Sequence, residues 1–280
     1  MRRSLPRQLL LGTLKLLAVL AILLWSVGPI ALIVSSSFKP EGEIFAVPPR
    51  LTFQPTFQHY VSLWQHWPDF FKALGNSVII TALATVIAVF ASLLAGYAYS
   101  RFRARWLAGS AFLLIVVRLI PPIVTTLPLF PVANALGLQD THVLLAVLYA
   151  TFFVSLGSFV MRAFIDQIPK EMDEAAAVDG AGRLTTLWRI IMPLAAQGMM
   201  AVAVFVAVYA WNEFLFAFVF TSTRAKTAPL VLAEVVGSFD GVEWGTLFAA
   251  ATVQLLPVLL FVWITQKYLV AGLTAGATKG

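Results

Sequence analysis

The chain has 280 residues, 60% of them hydrophobic and 11% charged, with a formal net charge of +6 and a mean hydropathy of +0.88. A soluble domain of ordinary make-up does not carry that balance, so the composition indicates an integral membrane protein. The cations lie in short clusters beside apolar runs, as topology determinants do, which excludes nucleic acid as a partner; no cysteine and three scattered histidines leave no disulfide framework, thiolate site or metal-ligand spacing.

The N-terminal stretch MRRSLPRQLLLGTLKLLAVLAILLW starts basic like a signal peptide. Its apolar run continues past Trp25 with no small-residue cleavage site, so a retained anchor is expected. Uncharged runs then mark the spans, because about 20 apolar residues at 1.5 Å rise cross a hydrocarbon core of roughly 30 Å. Such runs occupy positions 16–38, 73–100, 141–161, 190–212 and 244–266. A sixth lies between Arg105 and Asp140, interrupted by Arg118, Pro121, Pro122, Pro128 and Pro131. It is expected as one helix from about Trp106 that bends or breaks near the prolines. The result is a single all-α membrane domain over residues 1–280 with six transmembrane helices, no soluble domain and no internal repeat.

Thirteen of the nineteen Lys and Arg fall on the side that holds both termini and residues 163–194; five fall on the other, and Arg118 lies within a span. The excess places both termini and residues 163–194 in the cytoplasm. The outer loops, 38–71 and 221–244, are rich in Trp, Pro, Phe and Thr, which suits interfacial anchoring or an extracytoplasmic partner.

Residues 171–194, EMDEAAAVDGAGRLTTLWRIIMPL, set a cluster of acids and two arginines between two apolar runs. Pro169, acids in the first turn and a run of Ala predict a helix over about 169–179, ended by Gly180 and Gly182. Leu184, Leu187, Trp188 and Ile191, at three- and four-residue spacing, predict a second helix with an apolar stripe, and Pro193 marks the entry into the next span. By local rules this is either a connecting loop or a small knob that meets a partner.

The order Glu174, Ala175, Ala176, Asp179, Gly180 and then Pro193, placed before the second-last span, resembles the EAA loop of permease subunits of binding-protein-dependent ABC importers. RLIPPIVTTLPLF (118–130), LGLQDT (136–141), AWNEFLFA (210–217) and VAGLTAGATKG (270–280) narrow the resemblance to the carbohydrate-uptake branch, in subunits of the maltose-system type. The resemblance implies the type I importer permease fold and a place in a bacterial or archaeal inner membrane. It implies one half of a translocation pathway for a di- or oligosaccharide, shared with a second permease subunit and served by a dimer of ATP-binding subunits and an extracytoplasmic sugar-binding protein. Residues 163–194 become the coupling loop, whose first helix seats in a groove on the ATPase through Glu174, Ala175, Ala176, Asp179, Gly180 and Pro193. The tail 268–280, with Thr274, Gly276 and Lys279, reaches the ATPase interface. No G-x-x-x-x-G-K-[ST] loop occurs, so the chain is not expected to be an enzyme by itself or to bind a cofactor. ATP and Mg belong to the partner subunits, and membrane lipid is the remaining partner.

Arg118 lies about twelve residues, or roughly 18 Å, into its span, near the midplane. Facing lipid there costs about 2.5–3.5 kcal/mol or more, so it is expected to face protein or water, as a buried brace or a pathway lining. Tyr209 and Asn212 are three apart and share a helix face; a ring beside an amide suits the C–H face and hydroxyls of a sugar. Glu213 either reaches interfacial water or joins them. Two alternatives stay open: an ABC permease for another small solute, and a secondary transporter, which would need midplane acids and internal repeats that the sequence lacks.

Overall fold

The structure, a computed structural model, describes residues 5–237 and 241–275, with side chains from 11 to 266 outside 238–240. All regular structure among the described residues is helical, as hydrocarbon demands of a backbone that must satisfy its own N–H and C=O groups. In chain order the helices are α1 (Leu5–Ser36), α2 (Gln58–His66), α3 (Pro68–Arg101), α4 (Arg105–Leu119), α5 (Pro122–Ala135), α6 (His142–Ile165), α7 (Glu171–Val178), α8 (Arg183–Thr186), α9 (Met192–Leu194), α10 (Ala196–Asn212), α11 (Leu215–Phe220), α12 (Ala228–Val236) and α13 (Trp244–Ala275). A π turn, Leu187–Ile191, joins α8 to α9.

Helices α1, α3, α6 and α13 are each long and apolar enough to cross a membrane. The other two spans are bent pairs. Helix α4 meets α5 at 101°, and the 183–194 segment meets α10 at 76°. The first bend lies where the prolines predicted it: Ile120 is extended before Pro121, and Pro122 opens α5, where its missing N–H costs nothing. Pro128 and Pro131 stay inside α5. The second bend corrects an expectation. The run expected as one helix over 190–212 is bent: the chain turns at Ala195 (φ −87°, ψ 8°), which leaves Pro193 on the preceding segment and starts α10 at Ala196.

The described residues pack as two compact units, those up to 68 with those of 232–256, and 69–231 with those from 257 on. In the first, the segment between α1 and α2 is organised by polar contacts. The Glu41 carboxylate accepts the N–H groups of Trp244 (2.9 Å) and Gly245 (3.0 Å), which satisfies the start of α13. His59 is buried with its Nε2 2.7 Å from the Lys39 carbonyl, and Ser37 Oγ lies 2.7 Å from Tyr60 Oη. Helix α1 keeps its apolar side chains exposed, Trp25 and Leu24 among them, as a lipid-facing anchor does.

The second unit holds the core. Leu93, Leu145, Tyr149, Met161, Ile165, Leu187, Ile191, Val202 and Val206 are fully or almost fully buried, drawn from α3, α6, the π turn and α10. Helices α3 and α6 approach closely at Gly96: a Cβ there would lie 2.6 Å from Met161 Cβ and 2.8 Å from the Arg162 backbone nitrogen. Small residues at such crossings admit the backbone contact that drives helix association in lipid.

Candidate functional site

The 163–194 loop is built around α7. Glu171, Asp173 and Glu174 occupy its first turn, where the helix dipole favours acids. Its end is a Schellman motif: the Ala181 N–H donates to the Ala176 carbonyl (2.9 Å) and the Gly180 N–H to that of Ala177 (3.1 Å), with Gly180 at φ 78°. Glycine adopts that conformation without steric cost. Glu174, Ala175, Asp179, Gly180 and Pro193 are exposed, whereas Ala176 is buried, at 5% exposure, and lies on the inward face. Of the expected apolar stripe only Leu187 and Ile191 are buried; Leu184 is exposed and Trp188 packs at 5.8 Å on Phe90.

Asp173, one turn before Ala176, is turned inward as well. Its carboxylate accepts a charge-assisted bond from Arg101 Nε at 2.9 Å and one from the Tyr97 hydroxyl at 3.1 Å. Arg101 also donates to the Ile168 carbonyl at 2.9 Å, and its side chain is 7% exposed. Arg183 lies 4.5 Å over the Phe102 ring. The loop is thus clamped to the end of α3 while α7 presents Glu174, Ala175 and Val178 outward. Sequence reasoning missed this clamp, since Arg101 read as a topology cation. The one available signal was that Asp173 and Ala176 share a helix face.

The intramembrane candidates are partly assembled. Arg118, near the end of α4, is exposed in the chain and sits with its guanidinium carbon 5.8 Å from the rings of both Phe152 and Phe153. It has no ion pair among the described residues. Tyr209 stacks on the same Phe152 ring at 4.9 Å and 11°, so one aromatic group of α6 joins Arg118 to Tyr209. Asn212 is exposed, and its Nδ2 donates to the Val208 carbonyl at 2.8 Å. Glu213 departs from the interfacial-water expectation: it is 7% exposed and accepts the N–H groups of Phe216 (2.9 Å) and Ala217 (3.4 Å). The chain breaks between α10 and α11, and the carboxylate satisfies the amides that the break frees.

Asp140 was also missed. It adopts φ 57° in the α5–α6 connection, and its carboxylate accepts the backbone N–H groups of Ser222 (3.2 Å), Thr223 (3.2 Å), Arg224 (2.9 Å) and Ala225 (2.9 Å) and the Thr223 hydroxyl (2.9 Å). Burial alone would raise its pKa; the bonds from Arg224, Ala225, Ser222 and Thr223 outweigh burial and hold the carboxyl well below the usual carboxylate range. Asn76 ties the same segment down, with Nδ2 2.9 Å from the carbonyls of both Arg224 and Lys226. Of the tail candidates, Gly276 and Lys279 lie outside the described residues, as does the side chain of Thr274.

Residues 87–274 match the family described as binding-protein-dependent transport system inner membrane component. The chain is 34% identical over 260 residues to the inner membrane ABC transporter permease protein YcjP of Escherichia coli, covering 90% of this chain and 91% of the relative. It is 37% identical to the trehalose transport system permease protein SugB of Mycobacterium tuberculosis, covering 90% and 92%. With the trehalose/maltose transport system permease protein MalG of Thermococcus litoralis the identity is 34%, covering 86% and 87%. In fold it is similar to a chain in the crystal structure of a bacterial ABC transporter involved in import of the acidic polysaccharide alginate, with TM-score 0.79, 19% identity, and 96% of this chain and 99% of that one covered.

Proposed function

The chain belongs to the family of binding-protein-dependent transport system inner membrane components, and from that premise we propose that α7 couples it to a separate ATP-binding subunit. It is a multi-pass membrane permease subunit of an importer and is not itself catalytic. The observation that carries the coupling role is the two-sided character of α7: Asp173 and Ala176 hold one face to the protein, while Glu174, Ala175 and the 89% exposed Val178 are left on the other. On this reading Val178 and the small Ala175 are the apolar contacts of the docked face, with Glu174 beside them. Direct contact is assigned to Glu174, Ala175, Asp179 and Gly180, and to the exposed Pro193 of α9; Ala176 acts by seating the helix.

The cargo we assign is a di- or oligosaccharide, on the strength of the trehalose and trehalose/maltose permeases among the relatives. The pathway is shared with a second permease subunit, an extracytoplasmic sugar-binding protein delivers the cargo, and a dimer of ATPase subunits binds ATP and Mg. Both termini and residues 163–194 face the cytoplasm, in keeping with the thirteen-to-five division of cations. To the ATPase interface we also assign the tail residues Thr274, Gly276 and Lys279. Arg118, Tyr209 and Asn212 line the pathway, the first two through their shared ring on Phe152, and Glu213 positions α11.

The test is Glu174→Ala, assayed by copurification of the ATPase with tagged permease and by ATP turnover in proteoliposomes with binding protein and sugar. Losing one member of a docked charged pair costs about 2–5 kcal/mol at a buried interface, so the ATPase should be lost on washing or its stimulation by sugar abolished. Wild-type attachment and coupling in this variant would refute the assignment.

A further inference from the structure

A cavity of about 690 Å³ opens where α3, α4 and α6 meet beside the coupling loop. Five cations border it, Arg101, Arg103, Arg105, Arg162 and Lys170, with Asp166 as the single acid. Two of the five are already engaged: Arg101 with Asp173 at 2.9 Å, and Arg162 with Asp166 at 3.5 Å. The Asp166 carboxylate accepts the Ser100 hydroxyl as well, at 2.6 Å. Arg103, Arg105 and Lys170 remain exposed and without an ion pair among the described residues. Helix α4 starts in the same cavity at Arg105, after Ala104, whose side chain supplies no cap, so its first N–H groups add to the positive potential.

The other wall is apolar: Leu107, Ala108 and Ala111. It continues along α4 through Phe112 and Ile115, four residues beyond Ala108 and Ala111, at 69% and 50% exposure. A cation-lined mouth above an exposed apolar helix face is the pattern of a polar headgroup with its acyl chains, whereas a soluble phosphate has no use for the apolar wall. We propose that this cavity binds the headgroup phosphate of an anionic phospholipid through Arg103, Arg105 and Lys170, with an acyl chain lying along α4. Arg101 borders both this cavity and the Asp173 clamp, so the bound phosphate stands one side chain from α7.

The experiment uses the intact transporter in detergent, titrated with phosphatidylglycerol or phosphatidylcholine and read by native mass spectrometry. A juxtamembrane cation is worth about 1 kcal/mol toward anionic lipid at low salt, or roughly fivefold, so Arg103→Gln with Arg105→Gln should weaken phosphatidylglycerol retention roughly 25-fold. Arg103→Lys with Arg105→Lys should keep most of it, and phosphatidylcholine should bind no more tightly to wild type than to the Gln variant. A photoactivatable phosphatidylglycerol should label peptides within 99–111 and 162–170 of the wild-type protein, a readout that does not depend on any variant folding. The proposal is overturned by equal retention of the two lipids, by an unchanged Gln variant, or by labelling confined to other segments. Displacement of phosphatidylglycerol by millimolar inorganic phosphate or ATP would overturn it too, since the site would then take a soluble anion.

Discussion

Asp173→Ala tests whether the 163–194 loop is held to α3 by charge. In the native chain the carboxylate takes two donors, Arg101 Nε at 2.9 Å and the Tyr97 hydroxyl at 3.1 Å. The guanidinium is 7% exposed and the carboxylate 20%, so solvent screens the pair weakly. Removing one partner of a fully buried pair costs about 3–5 kcal/mol. Arg101 keeps the Ile168 carbonyl and the Ser100 hydroxyl as acceptors, which offsets part of that loss. A residual cost of about 2–3 kcal/mol follows, near the range for a hydrogen bond to a charged group. At 1.4 kcal/mol per tenfold, opening of the loop should become about 30- to 140-fold more frequent. Hydrogen–deuterium exchange of amides 171–180 in the purified transporter reads that opening directly. Protection of α3 and α6 should be unchanged, and sugar taken up per ATP hydrolysed should fall. Arg101→Ala combined with Asp173→Ala should cost less than the sum of the single changes, because the second removes an already orphaned partner. Native protection of 171–180 in Asp173→Ala, or strict additivity, would show that the clamp carries no strength.

Gly180→Val places a β-branched residue at φ 78°. Strain of about 1–3 kcal/mol should misplace α7 and lower ATPase coupling with helical content unchanged by circular dichroism, and full coupling would contradict the turn's role. Asp140 has a folded pKa below its unfolded value of about 3.9, so its stabilisation is complete above about pH 5 and is lost as the pH falls toward the folded value. Asp140→Asn should therefore increase proteolytic clipping within 221–227 at pH 7, with the gap to wild type narrowing below about pH 4; a gap constant with pH would exclude the carboxylate as its source. Arg118→Leu should lower sugar uptake roughly fivefold or more, on the scale of a cation–π contact, and Arg118→Lys should restore part because the charge survives without the planar fork. Wild-type uptake by the Leu variant would remove Arg118 from the pathway.

Spans, the proline break and the loop's capping were legible because each depends on residues adjacent in the chain. Hydropathy sums over a single run, the α4–α5 break follows from Pro121 and Pro122, and the end of α7 follows from Gly180, which takes the left-handed conformation at φ 78°. The second bend was not legible in the same way. Ala195 carries no conformational signal of its own, and the run from Ile190 to Asn212 is uncharged whether straight or folded at 76°.

Charge partners were the least legible of all, since the chain order of two ionic groups says nothing of their distance once folded. Arg101 and Asp173 lie 72 positions apart, and Asp140 accepts its amides from residues 82 to 85 positions on. The acidic run of α7 offered Glu171, Asp173 and Glu174 as equivalent first-turn acids. Only packing against α3 turned Asp173 inward and left Glu174 exposed. Glu213 shows the same limit: a carboxylate at a helix end reads as surface by its charge, and it is buried here because the break before α11 frees backbone amides that a nearby acceptor must satisfy. Composition and local pattern thus decided that this chain crosses a membrane and sets a capped, acidic helix between two of its spans, while the three-dimensional fold decided which of its few charges hold that helix to the protein and which stay exposed.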